Sequence, residues 1–313
     1  MQRSYRIDDR TVLIDLFFLG RAQVIGCYLL LGDPPALIET GPASCLDALG
    51  AALAEVGLGI GDLGALVVTH IHLDHAGAAG VLVRRNPNLK VFVHPVGAPH
   101  LVDPSRLLRS ARRIYGDDMD ALWGEVAPVP ADRVVSVGDG ATLTVAGRTL
   151  RAVDTPGHAN HHHVYWEETS GAAYTGDAAG VALPGCDYVR PPTPPPELDL
   201  EAWTRTLDRL EELRARRLCL THFGVREDPR EVLSQMRRRL REFSEVLYPG
   251  WEAGESLESL VARMRAHMQP QVEAACGSDA AERHEIAANY QMNVAGFIRY
   301  FERHRTQGQR SGG

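Results

Sequence analysis

No stretch of this 313-residue chain is apolar for long enough to cross a bilayer, which takes ~20 residues; runs such as Val24 to Leu31 are far shorter. The opening residues MQRSYRIDDR lack the apolar core of an export signal, so neither export nor membrane anchoring is expected. An excess of positive charge is missing as well. With 33 basic against 40 acidic residues the formal charge is -7, so no global basic field holds a polyphosphate backbone, and nucleic acid is not an expected partner. Cysteine is scarce: Cys27, Cys45, Cys186, Cys219 and Cys276 are odd in number, widely spaced and mostly set in apolar runs, unlike a disulfide framework. A reducing, cytoplasmic setting is the expectation. No Ser or Cys lies in an elbow-like or His-paired setting either, and Cys186, the nearest rival nucleophile, has no base beside it in sequence.

What is present is 44% hydrophobic and 23% charged, ample for one sizeable core with an appended subdomain. Short β-rich segments separated by Gly and Pro predict strands at Val12 to Phe18, Val24 to Leu31 and Ala36 to Glu39. Ser44 is placed to cap a helix over Cys45 to Val56, and Ala65 to Thr69 reads as a buried strand. Helices are predicted from Ala76 to Arg85 and, rich in arginine, from Pro104 to Trp123, with Val91 to Val93 extended between them. A second run of strands covers Val134 to Val137, Ala141 to Val145, Thr149 to Val153, His163 to Trp166 and Ala172 to Thr175. The stiff segment PPTPPP reads as a spacer across the surface, followed by a helix at Leu198 to Arg214, a last strand at Leu218 to Thr221 and helices from Pro229 to Arg305. The tail ending GQRSGG is expected to be disordered. This order predicts an α/β protein with two sheets between helical layers, residues 1–225 forming the main domain and 226–313 a helical subdomain.

The chemistry is concentrated in Thr69-His70-Ile71-His72-Leu73-Asp74-His75, where imidazoles and a carboxylate crowd a strand-to-helix junction. In extended chain His70 and His72 share a side, while Asp74 and His75 fall where the helix begins, so two ligand pairs can serve two neighbouring ions. Asp74 can also be read as a capping residue. His158, Asp177 and His222 each follow an apolar strand, in TPGH, TGD and THFG, the places where ligands from distant chain positions converge.

The succession HxHxDH, TPGH, TGD and THFG resembles the metallo-β-lactamase superfamily, in particular its glyoxalase II and lactonase-like hydrolases, over about residues 10 to 225. The resemblance implies a four-layer αβ/βα sandwich, here with a C-terminal helical extension. It further implies that His70, His72 and His158 hold one ion, that Asp74, His75 and His222 hold a second, and that Asp177 bridges them. The activity implied is hydrolysis of a small ester-like substrate, a thioester, lactone or related compound, by a hydroxide lying between two divalent ions. Zinc is the first choice of metal, with iron and manganese compatible. Asp74 and Asp177 are the implied catalytic carboxylates, Asp74 for proton transfer.

The sequence departs from some branches. Asp177 stands where antibiotic-degrading enzymes would place a cysteine, and Gly180 stands where lactone hydrolases often have a tyrosine. The arginine-rich stretch with Arg106, Arg109, Arg112 and Arg113 is an extra segment suited to a wall or lid, and the C-terminal helices are expected to roof the pocket. Tyr188 and Arg190 are the candidate substrate contacts, Arg190 for an anion. Among His161, His162 and His163, alternation turns His162 away from the other two, and none is taken as a ligand. Other readings stay open at this stage: a phosphodiesterase, an oxidoreductase resembling persulfide dioxygenases with one iron on His70, His158 and Asp177, and a non-catalytic metal-binding interaction module. A small-molecule substrate is expected, with homo-oligomerisation left open.

Overall fold

The computed structural model describes residues 2–311, with side chains through Arg305; Met1, Gly312 and Gly313 lie outside the described residues, and the rest of the tail expected to be disordered is helical through Ser311. The first sheet contains β1 (Ser4–Asp8), β2 (Thr11–Asp15), β3 (Gly26–Leu30), β4 (Ala36–Ile38), β5 (Ala65–Val67), β6 (Lys90–Val93) and β7 (Val134–Ser136), in that spatial order. Its first four strands form an antiparallel meander, and β4 to β7 run parallel, joined by helical crossovers. The second sheet holds β8 (Thr142–Val145), β9 (Arg148–Asp154), β10 (His163–Glu167), β11 (Ala172–Gly176), β12 (Arg217–Leu220) and β13 (Gly224–Arg226), in the order β13-β12-β11-β10-β9-β8.

Helices α1 (Leu46–Glu55), α2 (Leu73–Ala76), α3 (Ala79–Arg85), α4 (Ala98–Val102), α5 (Ser105–Tyr115) and α6 (Met119–Trp123) belong to one outer layer. Helices α7 (Leu200–Glu212), α8 (Pro229–Glu252), α9 (Leu257–Ala287) and α10 (Tyr290–Ser311) belong to the other. Strand alternation sorts the apolar side chains into three cores, one for each interface of four layers. Val12, Ile14, Leu29 and Leu66 pack outward against Leu49, Leu53 and Leu82. Leu13, Tyr28, Ile38 and Val67 face Leu150, Ala152 and Tyr174 between the sheets. Val164, Trp166, Leu218 and Leu220 meet Trp203, Met236, Phe243 and Phe297 beneath the second helical layer.

A buried ion pair ties the sheets together. Arg148 donates to Glu167 through Nε at 2.6 Å and again through Nη2, and its Nη1 reaches Thr11 Oγ1 on the other sheet at 2.9 Å. Burial acts to raise the Glu167 carboxyl, and Arg148 with the Ser170 hydroxyl overcomes it, leaving the group below its ordinary range.

Several local expectations change. Ser44 caps no helix, because its hydroxyl donates to the Leu122 carbonyl at 2.6 Å and Cys45 stands at the N-terminus of α1. Strand β2 stops at Asp15, and Phe18–Gly20 is a tight turn with Leu19 in the left-handed region. β1 and β13 were not predicted, and the helix expected over Ala76 to Arg85 is divided between α2 and α3. The proline segment is not a surface spacer: Pro191, Pro192 and Thr193 are buried under α10, where Asn293 Oδ1 accepts from Thr193 N at 2.8 Å. The five cysteines are not all free. A disulfide joins Cys186 to Cys276, because α9 passes the loop after β11 with the two Cα atoms 4.6 Å apart. No helix of the described residues is long and apolar enough to cross a membrane.

Candidate metal centre

The loops that leave β5, β9, β11 and β12 converge at one end of the sandwich, so strand termini far apart in sequence deliver their polar residues to one place. β11 ends in Gly176, whose φ of 48° and lack of a Cβ both matter, since a Cβ there would lie 2.4 Å from Thr69 Oγ1 and 2.8 Å from His162 Nε2. Gly157 is equally constrained against Trp203, with a built Cβ 2.4 Å from that residue's own. These two glycines let Asp177 and His158 come close to the His70 segment.

Two ligand groups result. In the first, His72 Nδ1 lies 3.0 Å from His70 Nε2 and 2.9 Å from His158 Nε2, while Asp177 Oδ2 lies 3.1 Å from His158 Nε2 and 3.9 Å from His70 Nε2. In the second, His222 Nε2 is 3.3 Å from Asp74 Oδ2, and Asp177 Oδ1 stands 3.3 Å from His75 Nε2 and 3.5 Å from His222 Nε2. Asp177 therefore directs one carboxylate oxygen at each group. His72, not Asp74, stands at the N-cap of α2, and Asp74 lies inside its first turn with its carboxylate toward His222.

The outer nitrogens settle which form each imidazole takes. His158 Nδ1 faces the Pro192 carbonyl at 2.8 Å and His222 Nδ1 the Val24 carbonyl at 2.8 Å; a carbonyl can only accept, so both rings carry a proton on Nδ1, and in the neutral form each leaves the Nε2 lone pair facing inward. His75 Nδ1 faces the buried Glu39 carboxylate at 3.1 Å, and His70 Nδ1 faces Thr69 Oγ1, whose own proton goes to Glu39. Asp177 Oδ1, His75 Nε2 and His222 Nε2 are buried without a hydrogen bond, although such atoms ordinarily have a partner. Inward lone pairs, orphaned buried atoms and a shared carboxylate are what a pair of cations requires, so the residues fit two metal ions.

The electrostatics agree. Burial and the neighbouring imidazoles push His70 and His72 well below the usual histidine value, so both are neutral and able to ligate. Burial acts to raise Asp74 and Asp177, but the surrounding histidines hold Asp74 at about 2 and Asp177 well below its ordinary value. Burial opposes charge on His75 and His222, yet the carboxylates raise both, so without cations the cluster draws in protons that metal binding would release.

Glu39 is a residue that reading the sequence did not single out, and His162, expected to turn away from its neighbours and not to act as a ligand, is the one of the three histidines that supports a ligand-bearing loop. Glu39, at the end of β4, also accepts from Thr69 N at 3.2 Å and from Thr221 Oγ1 at 3.4 Å, linking three ligand-bearing segments. His162 accepts the Asp177 backbone N–H at 3.2 Å and faces Thr155 Oγ1 at 2.7 Å. β10 begins only at His163, so strand alternation does not govern the preceding residues. His161 lines the cavity, and His163 turns to Asp154, 3.0 Å away and shared with His94.

A cavity of about 710 Å³ opens onto Asp74, Asp177, His72, His158 and His222. Phe18, Trp123 and Tyr115 form an aromatic wall, with Phe18 and Trp123 stacked at 5.6 Å and Tyr115 edge-on to Trp123 at 5.1 Å. The arginine-rich α5 is one side of this cavity, and residues 285–289 with Met292 and Asn293, at the junction of α9 and α10, are the other. Tyr188 and Arg190 do not reach it. Arg190 is fully buried, donating to Glu285 at 3.2 Å, the Ala288 carbonyl at 3.0 Å and Tyr290 at 2.9 Å, so its charge holds the C-terminal helices. Tyr188 is buried against Met268 and under the Arg239 guanidinium, and the expected substrate contacts are thereby corrected.

Residues 22–222 match the family model described as the metallo-beta-lactamase superfamily, a span that includes every candidate ligand of both groups. The chain belongs to the metallo-beta-lactamase superfamily. Within it, a fold-containing protein of Sulfurisphaera tokodaii is 30% identical over 163 residues, 51% of this chain and 60% of that protein. An atrochrysone carboxyl ACP thioesterase of Aspergillus fumigatus is 28% identical over 184 residues, 58% of this chain and 45% of the thioesterase. The chain thus spans about half the length of these curated relatives. Among solved structures, a metallo-beta-lactamase family protein from Thermus thermophilus shares the superfamily fold with a TM-score of 0.69 and 24% identity, covering 90% of this chain and 89% of the other. The sandwich is therefore the superfamily's, and the fold shared with the Thermus thermophilus protein extends over 90% of this chain.

Proposed function

We propose that this protein is a binuclear metal-dependent hydrolase of small ester-like substrates, with a thioester as the first candidate. The observation that carries the reading is Asp177, whose two oxygens face two separate groups, His70, His72 and His158 on one side and Asp74, His75 and His222 on the other. Two divalent ions, held by these residues, would supply an activated water and polarise the scissile carbonyl. Superfamily membership supports hydrolysis, and a relative named as a thioesterase supports the substrate class.

The chain's own residues supply the rest. Glu39, Pro192 O and Val24 O orient the rings of His75, His158 and His222 toward the candidate metal positions. Asp74 is the more accessible of the two carboxylates, its side chain 22% exposed against 4% for Asp177, and it faces the cavity. Held ionised, it accepts a proton and can pass it to the departing atom. The aromatic wall shelters an apolar acyl group from water. A one-iron oxidoreductase would leave the second group without a purpose, and the orphaned His75 and His222 nitrogens favour two ions.

Elemental analysis joined to a hydrolysis screen tests this. Close to two transition-metal ions per chain, with thioester or lactone cleavage abolished by chelation and restored by zinc, iron or manganese, is the expected result. Metal-free protein with full activity, or a preparation that binds metal and cleaves only phosphodiesters, would replace the reading.

A further inference from the structure

The cavity presents unpaired charge of one sign. Of its acidic lining residues outside the ligand set, Glu197 accepts from Asn160 N at 3.0 Å and stands 3.4 Å from His161, while Glu285 pairs with Arg190 at 3.2 Å and Arg265 at 2.9 Å. Arg106 also lines the cavity, and among the described residues it has no hydrogen bond or ion pair. It starts a row on α5, where Arg109 and Arg113 follow at i+3 and i+7 with Arg112 beside them, all exposed. Asp103 lies near enough to Arg109 to feel its charge, but Arg112 and Arg113 have no ion-pair partner among the described residues. The acidic residues Asp117, Asp118 and Asp120 follow the end of the helix, ~16 Å along the axis from Arg106 and ~6 Å from Arg113, and none of them forms an ion pair with either arginine among the described residues. The adjoining face of the same helix presents Leu107, Ala111, Ile114 and Tyr115 to the cavity. Leu19 and Ile114, 53% and 40% exposed, add apolar surface to the lining.

In a chain of net charge -7, a row of unpaired guanidiniums beside a cavity attracts an anion. We propose that the substrate is amphiphilic: an apolar acyl or aromatic part lies against Phe18, Trp123 and Tyr115, and a phosphate or carboxylate remote from the scissile bond is held at the cavity rim by Arg106, the one arginine of the row that lines the cavity, with Arg113 two turns further along the same face of α5. This deepens the hydrolase reading and rests on it for the reaction, though not for the anion site. Guanidinium suits either anion because its planar fork donates two parallel hydrogen bonds.

Octanoyl thioesters of neutral N-acetylcysteamine, of carboxylate-bearing glutathione and of phosphate-bearing coenzyme A, assayed on the zinc-loaded full-length protein, provide the test. At least one anionic thioester should show a kcat/KM roughly tenfold above the neutral one, and the arm that gains identifies the anion. That advantage should collapse in roughly 0.5 M salt, and R106Q/R113Q should bring the ratio toward one. Equal use of all three, or an advantage indifferent to salt and to the double substitution, overturns the proposal. Calorimetric binding of octanesulfonate and octanol separates this site from the hydrolytic reading. Tighter, salt-sensitive binding of the sulfonate that R106Q/R113Q removes supports the arginine site even if no thioester is cleaved; equal binding of the two refutes it.

Discussion

Replacing Glu39 by glutamine keeps the shape of the side chain and removes one charge, and the structure fixes what that does. With the amide oxygen at the Oε1 position it still accepts from His75 Nδ1 and the Thr69 hydroxyl, but the NH2 then confronts the Thr69 N–H, 3.2 Å away, donor against donor. With the amide reversed, the NH2 faces His75 Nδ1, which must give up its proton; the proton moves to Nε2, where it blocks the lone pair aimed at the metal. Either orientation leaves one buried donor unsatisfied or one ligand in the wrong tautomer. The first costs about 1–3 kcal/mol, and loss of an orienting partner typically weakens metal binding 10–100-fold, or about 1.4–2.7 kcal/mol. The assay is competitive titration of each ion against a chelator of known affinity, alongside thermal melts of the metal-free protein. Glu39→Gln should weaken the ion bound by His75 selectively, with a smaller effect on the His70, His72 and His158 group. Affinity within twofold of wild type at both positions would refute the orienting role, and equal loss at both would show that Glu39 acts on the fold.

Asp177→Ala should lower bound metal well below two ions per chain and reduce turnover by at least about a hundredfold, while circular dichroism stays native; equal collapse of fold and activity would point to a structural metal. Glu167→Gln leaves Arg148 buried without its counter-charge and should cost about 3–5 kcal/mol in denaturant titrations near neutral pH. Because the folded Glu167 carboxyl lies below its unfolded value, its contribution is present above the unfolded pKa and is lost as pH falls through the folded one, so wild type and variant should converge in acid. A gap that widens on acidification would contradict this. Cys186→Ala with Cys276→Ala opens a loop of 90 residues and should lower stability by about 2–4 kcal/mol while the rate stays within a few-fold, since Cys186 is not a nucleophile; trapping of an acyl group on Cys186 would overturn that assignment.

The residues easiest to read from the sequence were those whose meaning is local. His70 to His75 lie within one short motif, and His158, Asp177 and His222 each follow an apolar strand, so pattern and chemistry coincided; the structure gathers all seven at one end of the sandwich. Glu39 was invisible because its role depends on His75, Thr69 and Thr221, none of them near it in sequence. Arg190 was misjudged for a related reason. Beside a proline run it resembles an exposed loop cation, and the residues that bury it, Glu285, Ala288 and Tyr290, lie in a helical region joined to it only by tertiary packing. The four layers followed from the alternation of strand and helix signals, whereas β1 and β13, short edge strands of weak apolar character, gave too little pattern to detect.

The buried proline segment links parts of the molecule that would otherwise be independent. Pro192 supplies the carbonyl that fixes His158, and the next residue, Thr193, is clasped by Asn293 and lies so close to α10 that a Cβ on Gly296 would come within 1.8 Å of its carbonyl oxygen. The C-terminal helices are thus splinted to the candidate metal ligand His158 through a single stiff strap. Exchanging them for those of a relative to redirect substrate choice would be expected to detune the metal centre at the same time, so evolution or engineering of the pocket has to carry the strap and the helix together.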